Sequence, residues 1–291
     1  MLCEGEIQRH LVGPESHNLY KRMERMPDAN FYRACVPRWW REKLPRFFNC
    51  GDRNAVLDSY SLLLELHRED SSKSYLNPEK LFAIADLDLY KKPISDVPDC
   101  RFTDTDAIFR NLYDEGQVNE NNAAQHRIWV TGLIHKEAYF IIPELQPIFD
   151  DFEPTPIYKG SPVLLDKIYL DMAESISEDK DLEHRLDAVS QRIGYCPDLD
   201  CTSRSKLQES WKNQFHRAEG RQRRNLIMAL LSVRKAKPYW NKIKLSGDWT
   251  PSHQNIFRDE ISLKIGDFYS RQKRDAKYHL SVFFKTLSKA R

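Results

Sequence analysis

The chain has 291 residues, 41% of them hydrophobic and 30% charged, with only 10 Gly and 15 Pro, a composition that suits one large or two modest globular domains and excludes collagen-like, low-complexity and disordered classes. Charge-free apolar stretches such as residues 128–134 and 138–143 fall far short of the roughly 18–20 residues that span a bilayer. Glu4 and Glu6 sit where a secretory signal would be basic and then apolar, and six cysteines in so long a chain make no disulfide framework, so a reduced, cytoplasmic protein with no membrane contact is expected.

The net charge of +2 conceals a split: residues 201–291 hold 21 Lys and Arg against 7 Asp and Glu, whereas residues 1–200 hold 24 against 36. Basic surface of that density is the footprint of a DNA or RNA partner. Clustered acids supply the oxygen ligands of divalent metal. The plainer alternative is that the halves attract each other or present solvated faces.

In chain order, residues 1–6 open with a very short apolar segment that breaks at Gly5. Residues 9–46 are irregular and rich in Arg and aromatics. Residues 46–50 (RFFNC) read as a short buried strand and Gly51-Asp52 as a turn. Asp52 or Asn54 then caps a helix on which Val56, Leu57, Tyr60, Leu63 and Leu64 share one face. Residues 81–85 (LFAIA) are a continuous apolar run ended by acids, the pattern of a buried parallel strand. Asp104 or Asp106 is placed to cap a short helix through Ile108, Phe109 and Leu112, and residues 127–133 form a further strand. This alternation predicts an α/β fold with a mostly parallel sheet and flanking helices.

Beyond Pro154 the spacing turns helical, in residues 164–176, 182–193, 207–215 and 221–235. The expected division is an acidic α/β domain over residues 1–153 and a mainly helical basic domain over residues 154–291.

The sharpest local feature is Asp86-Leu-Asp88, directly after the run at 81–85. Ligands of open α/β sheets sit beyond the carboxyl ends of strands. Acids at i and i+2 of an extended chain face one side, where they repel unless a cation lies between them. Mg²⁺, which keeps waters and takes substrate phosphates as ligands, fits there. A strand ending in solvated Asp residues is the bland reading. Leu2-Cys3-Glu4-Gly5 offers a second acid at a segment end, followed by a glycine that permits close backbone approach.

Glu4-Gly5, then the strand–helix of residues 46–67, then Asp86-Leu-Asp88 follow one another in the order that resembles the toprim domain family, over roughly residues 1–150. The resemblance extends to nucleases of the overcoming-lysogenization-defect type and to small toprim proteins of anti-phage defence. It implies a toprim-like sheet in which Asp86 and Asp88 bind Mg²⁺ or Mn²⁺. Glu4 completes the acidic site, as a further metal ligand or a general acid/base, and Asp104 or Asp106 helps hold a second ion. Asp104 or Asp106 has helix capping as its equal alternative. The implied activity is phosphodiester hydrolysis, with a partner ATPase supplying any energy used. Its 291 residues leave little room for the strand-passage parts of a topoisomerase, which favours nuclease. Two alternatives stay open: a non-catalytic nucleic-acid binder with a toprim-like core, and a phosphohydrolase of small esters with Asp86 as nucleophile and Asp88 as acid/base.

Lys136, after the strand at 127–133, is a candidate to stabilise charge on the scissile phosphate, with an ordinary surface junction as the alternative. Arg221, Arg223, Arg224, Arg234 and Lys235 are candidates to neutralise backbone phosphates. Trp211, Trp240 and Trp249 suit either stacking on bases or a core role. Cys196 and Cys201 lack the further ligands of a zinc site, and no phosphate-cradling glycine loop is present.

Overall fold

The computed structural model describes residues 1–5, 26–37, 39–40, 44–74, 76–94, 97, 100–247, 249–272 and 275–289. Glu6 and much of the 9–46 segment lie outside the described residues. Among the described residues no helix is long and apolar enough to cross a membrane.

The chain divides into two units. One comprises Met1–Asp86, Lys91–Thr131 and Leu263–Arg291; the other comprises Leu87–Tyr90 and Gly132–Ser262. The expected single boundary at 153/154 is therefore replaced by one after Thr131, with the chain's end returned to the first unit.

The first unit is built on strands β1 (Leu2–Cys3), β2 (Phe48–Asn49), β3 (Ala83–Ala85) and β4 (Ile128–Val130), all parallel, in the order β2-β1-β3-β4. Leu2 lies opposite both Phe48 and Ala83, and Ile84 lies opposite Trp129. The β3 and β4 residues are buried throughout, as continuous apolar runs require when helices cover both faces.

Helix α1 (Pro27–Ala34) starts on a proline, whose fixed φ suits the first turn, and carries Asp28 in that turn. Asp52 caps α2 (Arg53–Glu69) by accepting from the Ala55 N–H, and α2 buries Val56, Leu57, Tyr60 and Leu64. Asp104 caps α3 (Thr105–Leu112) by accepting from the Ala107 N–H.

Strand alternation sends neighbouring side chains to opposite faces, and β4 shows where the layers lie. Ile128 lines one cavity with Tyr60 of α2 and Ile108 of α3. Trp129 meets Phe283, with ring centroids 3.9 Å apart. Phe283 and Phe284 belong to the last helix, which joins Tyr32 of α1 and Phe47 in one aromatic cluster.

The second unit is mainly helical. It contains α4 (Leu165–Glu174), α5 (Leu186–Ile193), α6 (Arg204–Arg217) and α7 (Gly220–Val233). Strand β5 (Pro156–Tyr158) pairs antiparallel with β6 (Ser161–Pro162) and β7 (Ile243–Leu245). This small sheet was not expected: its strands have two or three residues, too few for alternation to register against a helical background. Trp211 stacks on Phe215 and donates its indole N–H to the Leu226 carbonyl, and Trp240 packs on Phe140 and Phe149. Both tryptophans are core; Trp249 is exposed.

Helices α8 (Pro251–Arg271) and α9 (His279–Lys289) end the chain. A Cβ on Gly266 of α8 would come within 2.5 Å of Ala34 Cβ and 3.0 Å of the Phe31 carbonyl. Only glycine lets α8 approach α1 this closely.

Candidate active site

Strand order 2-1-3-4 reverses direction between β1 and β3, and in open parallel sheets that switch point is where ligands bind, beyond the carboxyl ends of the strands. Glu4 directly follows β1 and Asp86 directly follows β3. The Asp86 N–H donates to Glu4 Oε1 at 2.6 Å, so the sheet brings together two acids that lie 82 positions apart in sequence. Asp86 is buried and Glu4 half-buried.

Further side chains gather at the same strand ends. Asn49, the last residue of β2, is completely buried, and its amide Nδ2 has no acceptor. Its Oδ1 accepts weakly from the Cys3 thiol at 3.5 Å. A Cβ on Gly5 would come within 2.4 Å of Asn49 Nδ2 and 2.6 Å of Asp28 Oδ2. The glycine after Glu4 thus lets the Asn49 and Asp28 side chains pack directly against the backbone. Burial, and after it the electrostatic influence of Asp86, Cys3, Glu4 and Asp28, pushes the Tyr32 hydroxyl well above its ordinary pKa, so Tyr32 stays protonated. Tyr32 marks the site's negative field.

Asp88 departs from the expected arrangement. Strand β3 ends at Ala85, and Asp88 has φ +51°, a left-handed conformation that short Asn and Asp side chains tolerate better than most. The chain is therefore not extended from 86 to 88, and the shared-face argument does not apply. Asp88 Oδ1 accepts from the Leu89 N–H at 2.5 Å, and the Asp88 N–H donates to the Ile134 carbonyl. Asp88 belongs to the second unit.

Lys136 also lies in that unit, buried at the start of the short helix Lys136–Phe140. Beside it, burial lowers the His135 imidazole; the charges of Glu137 and Asp88 oppose that shift and those of Lys235 and Lys237 reinforce it. Asp104 Oδ1 accepts from the Ala107 N–H at 2.8 Å, and Oδ2 lies 3.7 Å from Lys91 Nζ, which is the capping role.

Four of the five candidate phosphate-binding cations have acidic partners inside the second unit. Arg223 Nη2 meets Asp166 at 2.8 Å, Arg224 Nε meets Glu144 at 2.6 Å, and Lys235 Nζ meets Asp181 at 2.6 Å. Arg234 is buried against Asp179 and donates to Ser175 Oγ at 2.8 Å. Arg221 is exposed. Burial raises the Cys196 thiol to about 12 and also raises Cys201.

Among the described residues no group of three or more His, Cys, Asp or Glu converges into a metal cage. A magnesium site needs less, since Mg²⁺ is commonly held by one or two carboxylates with waters and substrate phosphates completing the shell. Glu4 and Asp86 fit that open arrangement. The acceptor-less Asn49 amide is a buried donor that an anion at these strand ends would satisfy.

Sequence reasoning missed Asn49, Asp28 and Tyr32. Asn49 had a signal, as the polar residue that ends the apolar RFFNC run at a strand's carboxyl end. Asp28 and Tyr32 had none, because they come from a segment with no readable period. Comparison of the chain with protein-family models, with curated proteins and with solved structures found no match.

Proposed function

We propose that the sheet unit is a Mg²⁺-dependent phosphodiester hydrolase acting on nucleic acid, a nuclease of toprim-like kind. The observation that carries this reading is the pairing of Glu4 and Asp86 across the β1/β3 switch point by the 2.6 Å hydrogen bond. When bound, the ion supplies Lewis-acid polarisation of a phosphoryl oxygen and a more acidic water.

The chain's own groups have separate tasks. Glu4 and Asp86 hold the ion, and the bond from the Asp86 N–H fixes the Glu4 carboxylate in place. Asn49 donates its spare amide hydrogens to a phosphoryl oxygen, which relieves the cost of burying an unpaired donor. The Tyr32 hydroxyl, kept protonated, is a neutral hydrogen-bond donor among acids.

Labelled single- and double-stranded DNA and RNA, incubated with the protein and Mg²⁺ or Mn²⁺, test the reading. Cleavage is expected with metal and not in EDTA. Asp86→Asn and Glu4→Gln are each expected to lower it by about 100-fold or more, the scale of a lost transition-state contact, with an unchanged circular-dichroism spectrum. Undiminished cleavage in EDTA or in both variants would overturn it. Turnover of a phosphate monoester through an acid-stable adduct on Asp86 would instead assign a small-ester phosphohydrolase.

A further inference from the structure

At the opposite ends of the same strands lies a cavity of about 280 Å³. Its lining is chemically mixed, with Tyr60, Arg101, Phe102, Gln125, His126 and Arg127 among its walls. The Phe102 and His126 rings stack, with centroids 4.8 Å apart and planes 17° from parallel. The Arg101 guanidinium sits over Phe102 at 5.0 Å and donates to Gln125 Oε1 at 2.9 Å.

Arg127 lies over the Phe82 ring at 4.7 Å and bonds the exposed Glu79 carboxylate through Nη2 at 2.8 Å. Its Nη1 is buried with no acceptor. His126 Nε2 lies 2.8 Å from Asn111 Oδ1; the amide oxygen can only accept, so Nε2 donates and Nδ1 is left as an acceptor. Burial, then the charge of Arg101, pushes His126 down to about 4, so the ring is neutral at pH 7. With two guanidiniums against Glu79, the lining carries a net positive charge.

We infer that this cavity is a second ligand site, for a small anion carrying a flat ring, the chemistry of a nucleoside monophosphate. The guanidiniums match a phosphate with paired donors, Arg127 Nη1 lacks the acceptor that such a group supplies, and Phe102, His126 and Tyr60 bring aromatic surface to the lining. Glu79, bonded to Arg127 Nη2, is the carboxylate with which such an anion competes. The site is independent of Glu4 and Asp86.

Isothermal titration of the full chain in EDTA with the common nucleoside monophosphates is the test, with inorganic phosphate and free nucleosides run alongside. Saturable binding of a monophosphate is expected, with phosphate and nucleoside each binding more weakly. Arg101→Gln is expected to weaken it about tenfold or more, the worth of a charge-assisted hydrogen bond. Glu79→Gln is expected to tighten it by removing the competing carboxylate, a gain that a purely structural ion pair would not give. Binding in the Glu4→Gln/Asp86→Asn double variant should be unchanged. Absence of saturable binding at millimolar ligand, indifference to Arg101→Gln and Glu79→Gln, or loss of binding in the double variant would each overturn the inference.

Discussion

His126 is 5% exposed, and its ring is held between Phe102 and the Asn111 amide. Its pKa of about 4 lies below the ordinary value near 6.5 of an unfolded histidine. Between those two pH values the unfolded chain binds the extra proton, so stability falls as pH drops through the window, and above it the term vanishes. The full loss approaches about 3 kcal/mol. Urea unfolding at about pH 7 and about pH 4.5 checks it: His126→Gln should lose less stability than the parent over that interval, and equal losses would contradict the assignment. The same scale shows what a residue pattern can hide. Asp86 and Asp88 looked like one unit of chemistry because an extended chain puts i and i+2 on one side. The positive φ of Asp88 removes that premise, while Glu4, far away in sequence, supplies the carboxylate that meets Asp86.

At the scale of elements, the parts of the sheet unit that were legible had strong local signals. The apolar runs at 46–50, 81–85 and 127–133 each contain a parallel strand, and Asp52 and Asp104 cap the helices that follow. Capping is a contact between residues three apart, so it is written in adjacent sequence. The role of Asp104 can be tested on that basis. Asp104→Ala should cost about 1 kcal/mol of stability and Asp104→Asn much less, since Asn also caps. Both should leave metal-dependent cleavage intact, measured beside Asp86→Asn. A carboxylate that ligates metal would instead fail as Asn. The β5–β6–β7 sheet was not legible, because β7 comes from some 80 residues downstream of β6 and pairs through backbone groups that every residue carries.

For the whole molecule, the division into units runs against chain order. Helix α9, at the end of the chain, closes the core of the sheet that Leu2 and Cys3 begin, through Phe283 on Trp129 and Phe284 on Phe47 and Tyr32. Phe284 is completely buried, and truncating such a ring leaves a cavity costing about 3–5 kcal/mol. Phe284→Ala should therefore lower the urea midpoint strongly. Comparable stability after the substitution would show that α9 is peripheral. Charge also reads differently in three dimensions. The basic excess was counted from residue 201 onward, but Glu144, Asp166, Asp179 and Asp181, which answer Arg224, Arg223, Arg234 and Lys235, lie upstream of that boundary. A charge imbalance along the chain was, for these side chains, a set of ion pairs within one unit.

The amino-acid order by itself determined the α/β character, the strands within residues 46–50, 81–85 and 127–133, and the starts of α2 and α3, because burial pattern and capping depend on residues a few positions apart. It also marked Glu4 and Asp86 as acids following apolar segments. Which strands are neighbours, that the Asp86 N–H meets the Glu4 carboxylate, that Asp88 takes a left-handed conformation, and that Asn49, Asp28 and Tyr32 stand near Glu4 and Asp86 were decided only by tertiary structure. Those contacts join residues tens of positions apart, and no local propensity distinguishes them until the sheet has assembled.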